Sequence, residues 1–145
     1  MAVEVAVCVI LRGPQILVAY NESWGSFTMP MTKRRAWQMG TNEGHLQFEP
    51  WKTAAARAAA ELLGQTIRLD GLRDLWTIEN YGQSDRDGQW KFYEFHCFAL
   101  DLAVGIAHHY VPPAEWLSRD ELLDPEREPI SKTARFLAER LGPCI

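Results

Sequence analysis

The sequence predicts a single α/β domain built as a compact sandwich. Three observations predict it: an alternating β-branched run over residues 3–10, an alanine-rich helical segment over residues 51–63, and a capped helical segment over residues 132–141. With 145 residues, the chain is long enough to bury a core without disulfide or metal staples. Because it has no internal repeat, a sandwich is favoured over a solenoid or a helical bundle.

The chain opens with two predicted strands. The run from Val3 to Ile10 is apolar at most positions of both alternating sets, which is typical of a strand buried on both faces. Residues 12–15 read Arg-Gly-Pro-Gln, which is a turn sequence, and the apolar run from Ile16 to Tyr20 follows it. We therefore expect an N-terminal β-hairpin.

The middle of the chain contains the clearest helix. Residues 21–49 show no sustained period and predict a long loop, with room for one short strand. Loops of this length inside a domain often cover a ligand. Pro50 suits the first position of a helix, the segment Trp51–Leu63 has high helix propensity, and Gly64 is expected to end it.

Strands and capped turns are expected in the last third of the chain. Residues 74–81 and 90–101 are extended segments joined by a polar turn sequence, so they should pair as antiparallel strands. Ser118 is expected to cap a short turn that runs through Leu122. Ser131 predicts the cap of a final helix over residues 132–141.

Composition argues against several classes of partner. A formal net charge of -4 gives no global positive field, so binding to nucleic acid or to an anionic membrane is not expected. The basic cluster at residues 33–35 is interpreted as a solvated loop or as a phosphate contact. The apolar run at residues 5–11 is too short for a membrane span and has no basic leader. Cys8, Cys97 and Cys144 are widely spaced and odd in number, so we expect reduced thiols in a cytoplasmic protein.

A set of spaced residues marks the central helix. The segment from Glu49 to Gly64 resembles the second half of the Nudix box, which is written G-x5-E-x7-R-E-U-x-E-E-x-G-U. The matching residues are Glu49 for the first glutamate, Arg57 for the arginine, Glu61 for one closing glutamate and Gly64 for the glycine.

Flanking segments fall in the order of the same family. Trp24 and residues 30–33 stand where a W-x-x-P-G-G-K-like loop precedes the box, and residues 115–122 resemble the E-x-x-W-x-x-x-x-E-L segment near the end. The resemblance covers residues 1–145 as one domain, with the box-like loop and helix at residues 24–64. It implies a Nudix-like α/β/α sandwich with a mixed sheet, and hydrolysis of a diphosphate bond.

The resemblance also implies a divalent metal, Mg²⁺ or Mn²⁺, held by the box helix. Positions 58, 61 and 62 share one helical face because they are three and four residues apart. They are occupied by Ala58, Glu61 and Leu62, which leaves Glu61, together with Glu49, as the metal ligands. Since a hard cation needs several oxygen ligands, we expect the usual hydrolysis to be weakened, altered or lost.

Two further departures lie ahead of the helix. Met31-Thr32 stands where the family has a pair of glycines, and an insertion at about residues 33–48 separates this point from Glu49. Side chains in place of glycines predict a reshaped loop. Replacement metal ligands would have to come from the insertion or from the strands, and the candidates are Glu43, His45, Glu79 and Glu94.

The same residues also have purely structural interpretations. Arg57 and Glu61 are one turn apart, so they would form a surface ion pair, and Glu49 would complement the positive start of the helix. The functional interpretation makes Glu61, Glu49 and Arg57 the catalytic residues. The adjacent His108-His109 is interpreted as a strand end rather than a metal pair, because neighbouring strand residues point opposite ways.

The first two thirds of the chain are rich in aromatic residues, most of which are expected in the core. They are Trp24, Phe27, Trp37, Phe48, Trp51, Trp76, Tyr81 and Trp90. Trp24, Trp37 and Tyr81 lie in or beside predicted loops, and together with Lys33 they are the candidates for binding a planar phosphorylated ligand.

Together these features predict an atypical Nudix-superfamily protein that binds a nucleoside-diphosphate-type or other small phosphorylated ligand. Two alternatives stay open: a non-hydrolytic small-molecule-binding or regulatory module, and an enzyme that uses the scaffold for metal-independent chemistry. The expected partner is a small molecule, with no nucleic acid and no membrane. An additional strand or the loop from Lys33 to Phe48 would support a homodimer.

Overall fold

The computed structural model describes residues 2–38, 46–103 and 113–142. The strands in these ranges are Val3–Arg12 (β1), Gln15–Asn21 (β2), Ser26–Thr28 (β3), Met31–Thr32 (β4), Ala36–Gln38 (β5), Leu46–Phe48 (β6), Leu72–Gln83 (β7), Trp90–Asp101 (β8) and Ala114–Ser118 (β9). The α-helices are Trp51–Leu63 (α1), Arg119–Leu123 (α2) and Lys132–Leu141 (α3), and a 3-10 turn at Leu69–Gly71 precedes β7.

The main sheet is mixed. Its strand order is β3-β2-β1-β8-β7, and β4 pairs with β1 while β9 pairs with β2. Strands β1 and β8 are parallel from the Val3–Tyr93 pair to the Leu11–Asp101 pair, whereas the other pairings are antiparallel. The predicted single α/β domain with a mixed sheet is therefore confirmed, and so is the opening hairpin.

Strand β1 lies between two cores. Its even-numbered residues 6–10 pack against α1, where the alanine side chains and Leu62 face the sheet. Its odd-numbered residues 5–9 pack against α2 and α3, through Leu122 and Leu137 among others. Successive strand residues point to opposite faces, so a strand covered by helices on both sides must be apolar throughout, as predicted.

Local signals set the ends of the helices. Helix α1 begins after Pro50 and ends at Gly64, whose φ of 66° lies in the left-handed region that glycine adopts without strain. Ser131 caps α3 by accepting a backbone N–H of the first turn. Ser118 and Glu121 form a reciprocal capping box at α2. The predicted bounds of α1 and α3 are confirmed.

The expectation of a long loop over residues 21–49 was wrong. Strands β3 and β4 pair with β2 and β1, and β5 and β6 form a separate two-stranded sheet inside the insertion. Strands of two or three residues are too short to show a sequence period, which is why the pattern missed them. The same reason applies to β9, which pairs with β2 just before the predicted turn.

The expectation that most of the aromatic residues lie in the core was also wrong. Five are exposed, and the remaining Trp24, Phe27 and Trp51 are only partly buried. The exposed residues are Trp37 (44%), Phe48 (47%), Trp76 (47%), Tyr81 (54%) and Trp90 (60%). Tyr81 and Trp90 lie near the turn of the β7–β8 hairpin, where the described elements leave the sheet uncovered.

Some predicted features fall outside the described residues. They are Glu43, His45, His108, His109 and Cys144. The described cysteines, Cys8 and Cys97, are buried free thiols, and burial raises the pKa of each to about 12. Among the helices of the described ranges, none combines the length and the apolar character needed to cross a membrane.

Candidate functional site

Glu49 and Arg57 form the most connected ion pair near the box helix. Arg57 donates from Nη2 to Oε1 of Glu49 at 2.9 Å and from Nε to Oε2 at 3.2 Å, so the pair is bidentate. The backbone N–H of Arg35 donates to the same Oε1 at 3.0 Å. Glu49 is only 5% exposed. Its carboxylate thus points at α1 and the inserted segment, and it accepts three hydrogen bonds there.

Arg57 also ties the strand before the insertion to the helix. Its Nη2 donates to the Lys33 carbonyl at 3.0 Å, and its Nη1 reaches the Thr32 hydroxyl at 3.5 Å. The hydrogen bond from Arg57 lowers the pKa of Glu49, the Arg35 amide lowers it further, and burial opposes both. The same hydrogen bond raises the pKa of Arg57. Both groups are therefore charged across the ordinary pH range.

The expected Arg57–Glu61 ion pair exists but is secondary. Nη1 of Arg57 lies 3.7 Å from Oε1 of Glu61, and the Glu61 side chain is 67% exposed. An exposed pair at this distance contributes about 0.5 kcal/mol or less. Arg57 is therefore held mainly by Glu49, which is a partner that helical spacing does not suggest.

A groove of about 310 Å³ runs along the face of α1 that carries positions 58, 61 and 62. Ala58, Glu61 and Leu62 form the helical side of the groove. The opposite side is lined by Ala19, Tyr20, Asn21, Thr28, Met29, Pro30, Met31 and Pro113. Among these lining residues, Glu61 supplies the sole carboxylate.

This groove does not fit a Mg²⁺ or Mn²⁺ ion well. Such ions bind through carboxylate and other oxygens that also neutralise their charge. Here Ala58 and Leu62 offer no ligand, and the Arg57 guanidinium lies 3.7 Å from the Glu61 carboxylate and offsets its charge. The residues present therefore do not form a prearranged centre for a divalent metal.

A second cavity, of about 220 Å³, lies on the sheet face that carries α3. Its apolar floor comes from β1 and β8, and basic side chains stand around it. The lining residues are Val3, Val5, Trp24, Met31, Thr32, Lys33, Ser84, Asp85, Arg86, Lys91, Tyr93, Phe95 and Thr133. Aromatic rings below and cations above suit a planar group joined to an anionic one.

The acidic residue of this second cavity is already engaged. Asp85 accepts hydrogen bonds from the Thr133 hydroxyl at 2.6 Å and from the backbone N–H of Lys132 at 3.0 Å. Its charge thus lies at the positive start of α3, where it also anchors the β7–β8 turn. Lys91 is engaged as well, because its Nζ pairs with Asp87 at 3.1 Å, so Lys33 and Arg86 are the lining side chains that mainly make this cavity basic.

The two cavities adjoin at Met31, which lines both. Strand β4 places Met31 opposite Val7 of β1. Its side chain lies where a glycine pair would leave open space. A residue of β4, just before the expected insertion, therefore borders both the Glu61 groove and the basic cavity.

The structure brings together some of the predicted site residues and separates others. Trp24 and Lys33 both line the basic cavity, and Glu61 lines the groove. Trp37 lies exposed on β5 and lines neither. Tyr81 lies on the opposite sheet face, where its ring contacts those of Trp90 and Phe92 at 5.5 and 4.5 Å between centroids.

The strand candidates for replacement metal ligands also lie elsewhere. Glu79 and Glu94 are opposite each other on β7 and β8, and neither lines the groove or the basic cavity. Sequence reasoning missed Tyr93, Phe95 and Lys91 of the basic cavity. Their alternate positions on one strand were the signal that could have found them.

Comparison with known proteins supports the fold. No protein-family model matches the sequence, and no curated protein is similar enough to count as a relative. Solved structures do match over nearly the whole chain. A MutT Nudix hydrolase from Burkholderia pseudomallei has a TM-score of 0.63 at 17% identity, covering 98% of this chain and 99% of its own.

Two further structures give the same result. The MutT protein from Methanosarcina mazei Go1 has a TM-score of 0.63 at 16% identity, covering 97% of this chain and 92% of its own. The Nudix domain of Shewanella oneidensis NrtR, complexed with ADP ribose, has a TM-score of 0.61 at 15% identity, covering 97% of this chain and 86% of its own. The chain therefore has the Nudix fold.

Proposed function

We propose that this chain binds a nucleoside-diphosphate-type or similar small phosphorylated ligand in the basic cavity. We also propose that metal-dependent diphosphate hydrolysis is weakened, altered or lost at the Glu61 groove. Binding without turnover would make the protein a small-molecule-binding or regulatory module.

One observation carries the binding proposal: the basic cavity combines aromatic and cationic side chains. Tyr93 and Trp24 offer ring surfaces for a base, while Lys33 and Arg86 offer charge for a phosphate. The NrtR domain that resembles this chain was crystallised with ADP ribose, which is a ligand of this chemistry. The proposal for this chain rests on its own residues, and that likeness supports it.

The hydrolysis proposal rests on charge. A diphosphate in the groove would meet Glu61 without a second carboxylate beside it to hold a cation. Without such positive charge, the anionic transition state is poorly stabilised. If any hydrolysis remains, Glu61 is its candidate residue, because Glu49 and Arg57 hold each other.

Calorimetry with ADP, ADP-ribose and adenosine tests the binding proposal. In EDTA, we expect ADP to bind about tenfold more tightly than adenosine, because only ADP reaches the cations. Lys33→Met and Arg86→Met should each weaken ADP binding about tenfold and leave adenosine binding unchanged. Lys52→Met is the matched control, because Lys52 pairs with Asp74 away from the cavity. Equal binding of ADP by all four proteins, or no binding at all, would overturn the proposal.

A turnover assay tests the second part. Wild-type protein is incubated with ADP-ribose and nucleoside diphosphates in Mg²⁺, in Mn²⁺ and in EDTA, and product is measured by chromatography. We expect little or no metal-dependent product. Robust Mg²⁺-dependent turnover that Glu61→Gln abolishes would show that the hydrolytic site is intact, and the proposed loss would be wrong.

Location and assembly are further parts of the proposal. The free thiols of Cys8 and Cys97 support a reducing compartment such as the cytoplasm. The position of β7 at the end of the sheet order supports pairing with a second copy of the chain. Light scattering coupled to size exclusion tests the homodimer, and a monomer at high concentration would exclude it.

A further inference from the structure

Three side chains of metal-ligand type meet on the sheet face that carries α1, away from both cavities. They are Glu4 on β1 and Glu94 and His96 on β8. The parallel register places Glu4 beside Glu94, and His96 follows two residues later on the same face. One ligand atom from each lies within 4.8 Å of the other two.

We propose that Glu4, Glu94 and His96 form a binding site for a divalent transition-metal ion such as Zn²⁺. An imidazole and two carboxylates form a donor set that suits zinc, whereas magnesium prefers oxygen donors alone. Around an ion with bonds of about 2.1 Å, neighbouring donors lie roughly 3.0 to 3.4 Å apart. The three atoms lie within 4.8 Å of one another, so binding the ion requires side-chain rotation of Glu4 or Glu94.

His96 is oriented by Glu94 within the donor set and by Thr77 and Trp51 outside it. Its Nε2 lies 2.6 Å from Oε1 of Glu94, and its Nδ1 lies 3.3 Å from the Thr77 hydroxyl. A hydroxyl both donates and accepts, so Thr77 can accept a hydrogen bond from Nδ1–H when Nε2 binds a metal. The Trp51 ring stacks on His96 with centroids 3.9 Å apart and planes 8° apart, which holds the imidazole in place.

The charges around the site favour a cation. Glu79 lies directly opposite Glu94, so carboxylates of three adjacent strands stand in one row with Glu4. Like charges in such cross-strand positions are destabilising. Arg34 pairs with Glu4 at 3.3 Å. Among the described residues, no Lys or Arg forms an ion pair with Glu79 or Glu94. A cavity of about 190 Å³ opens between these last two carboxylates. A bound divalent ion would relieve the repulsion.

Calorimetric titration of the full chain with Zn²⁺ tests the proposal. We expect one ion per chain, with binding weakened at least tenfold by Glu94→Gln and by His96→Asn. Glu61→Gln should not change the affinity, because Glu61 lines the groove and is not one of the three proposed ligands. The double variant His108→Asn/His109→Asn removes the adjacent pair of histidines in the sequence. It should also bind Zn²⁺ normally, because neither histidine is a proposed ligand.

A spectroscopic readout locates the ion. Ni²⁺ at the site should quench the fluorescence of Trp51, because its ring contacts the ligand His96. The quenched component should be missing in Trp51→Phe and in Glu94→Gln. Circular dichroism verifies that each variant folds. If His96→Asn does not fold, Glu94→Gln alone tests the ligand set.

Two results would overturn the proposal: no stoichiometric Zn²⁺ binding to wild type, or wild-type affinity in both folded ligand variants. The inference does not depend on the proposed ligand cavity. Binding of ADP in EDTA should be unaffected by Glu94→Gln, so failure of either proposal leaves the other standing.

Discussion

Glu49 and Arg57 hold each other through two hydrogen bonds, of 2.9 and 3.2 Å, which join the residue two positions before α1 to the second turn of that helix. The guanidinium also bonds to the Lys33 carbonyl, so the pair joins the strand before the insertion to the helix after it. Glu49 and Arg57 thus connect the segments on either side of the β5–β6 pair.

Breaking this pair should destabilise the protein strongly. Arg57→Met leaves the Glu49 carboxylate buried without its main partner, and we expect the free energy of unfolding to fall by about 3 kcal/mol. Urea denaturation followed by circular dichroism measures the change. Arg68→Met is the matched control, because Arg68 makes a similar bidentate pair with Asp70 on the surface, where its side chain is 84% exposed. That change should cost below about 0.5 kcal/mol, and equal losses in both variants would contradict the interpretation.

The Glu49 carboxylate should also make stability depend on pH. Its pKa is lower in the folded protein than the ordinary value of 4.5, so the charged form stabilises the fold. This stabilisation is fully present above the ordinary value and is lost as the pH falls through the lowered folded-state pKa. Unfolding free energies of wild type and Glu49→Gln, measured from pH 7 to pH 3, should therefore converge at the acid end. A constant difference across that range would rule out this carboxylate as the cause.

Restoring carboxylates to the groove should restore metal binding. Ala58→Glu/Leu62→Glu places two further carboxylates beside Glu61, and we expect Mg²⁺ in about tenfold excess over its Kd to raise the Tm of this variant by roughly 3–6 °C. Wild type should not respond, because its groove holds one carboxylate. Ala58→Gln/Leu62→Gln controls for size and polarity. A wild-type Tm that rises equally with Mg²⁺ would mean that the groove already binds the ion.

Two phenylalanines of β8 should differ sharply in their importance for stability. Phe95 is 2% exposed and packs in the core beneath α3, whereas Phe92 is 60% exposed on the other face. We expect Phe95→Ala to cost about 3–5 kcal/mol and Phe92→Ala less than about 1 kcal/mol. Chemical denaturation of both variants compares them. A large loss for Phe92→Ala would indicate that another chain covers the exposed aromatic face.

The sequence alone determined the elements that depend on near neighbours. Helix propensity and Gly64 set the bounds of α1, the Ser131 side chain set the start of α3, and the apolar run from Val3 identified the central strand. The spacing of Glu49, Arg57 and Glu61 indicated the fold that the solved structures then supported. These signals are readable because the interacting groups lie within a few residues of each other.

Only the tertiary structure decided which distant side chains meet. Strands of two or three residues form because a neighbouring strand offers hydrogen bonds. They are too short to show a period in the sequence. Glu4 and Glu94 became neighbours through parallel pairing across ninety residues of chain, which no spacing rule predicts. Tyr81 lies on the opposite face from Tyr93, because sheet register determines the face to which each side chain points.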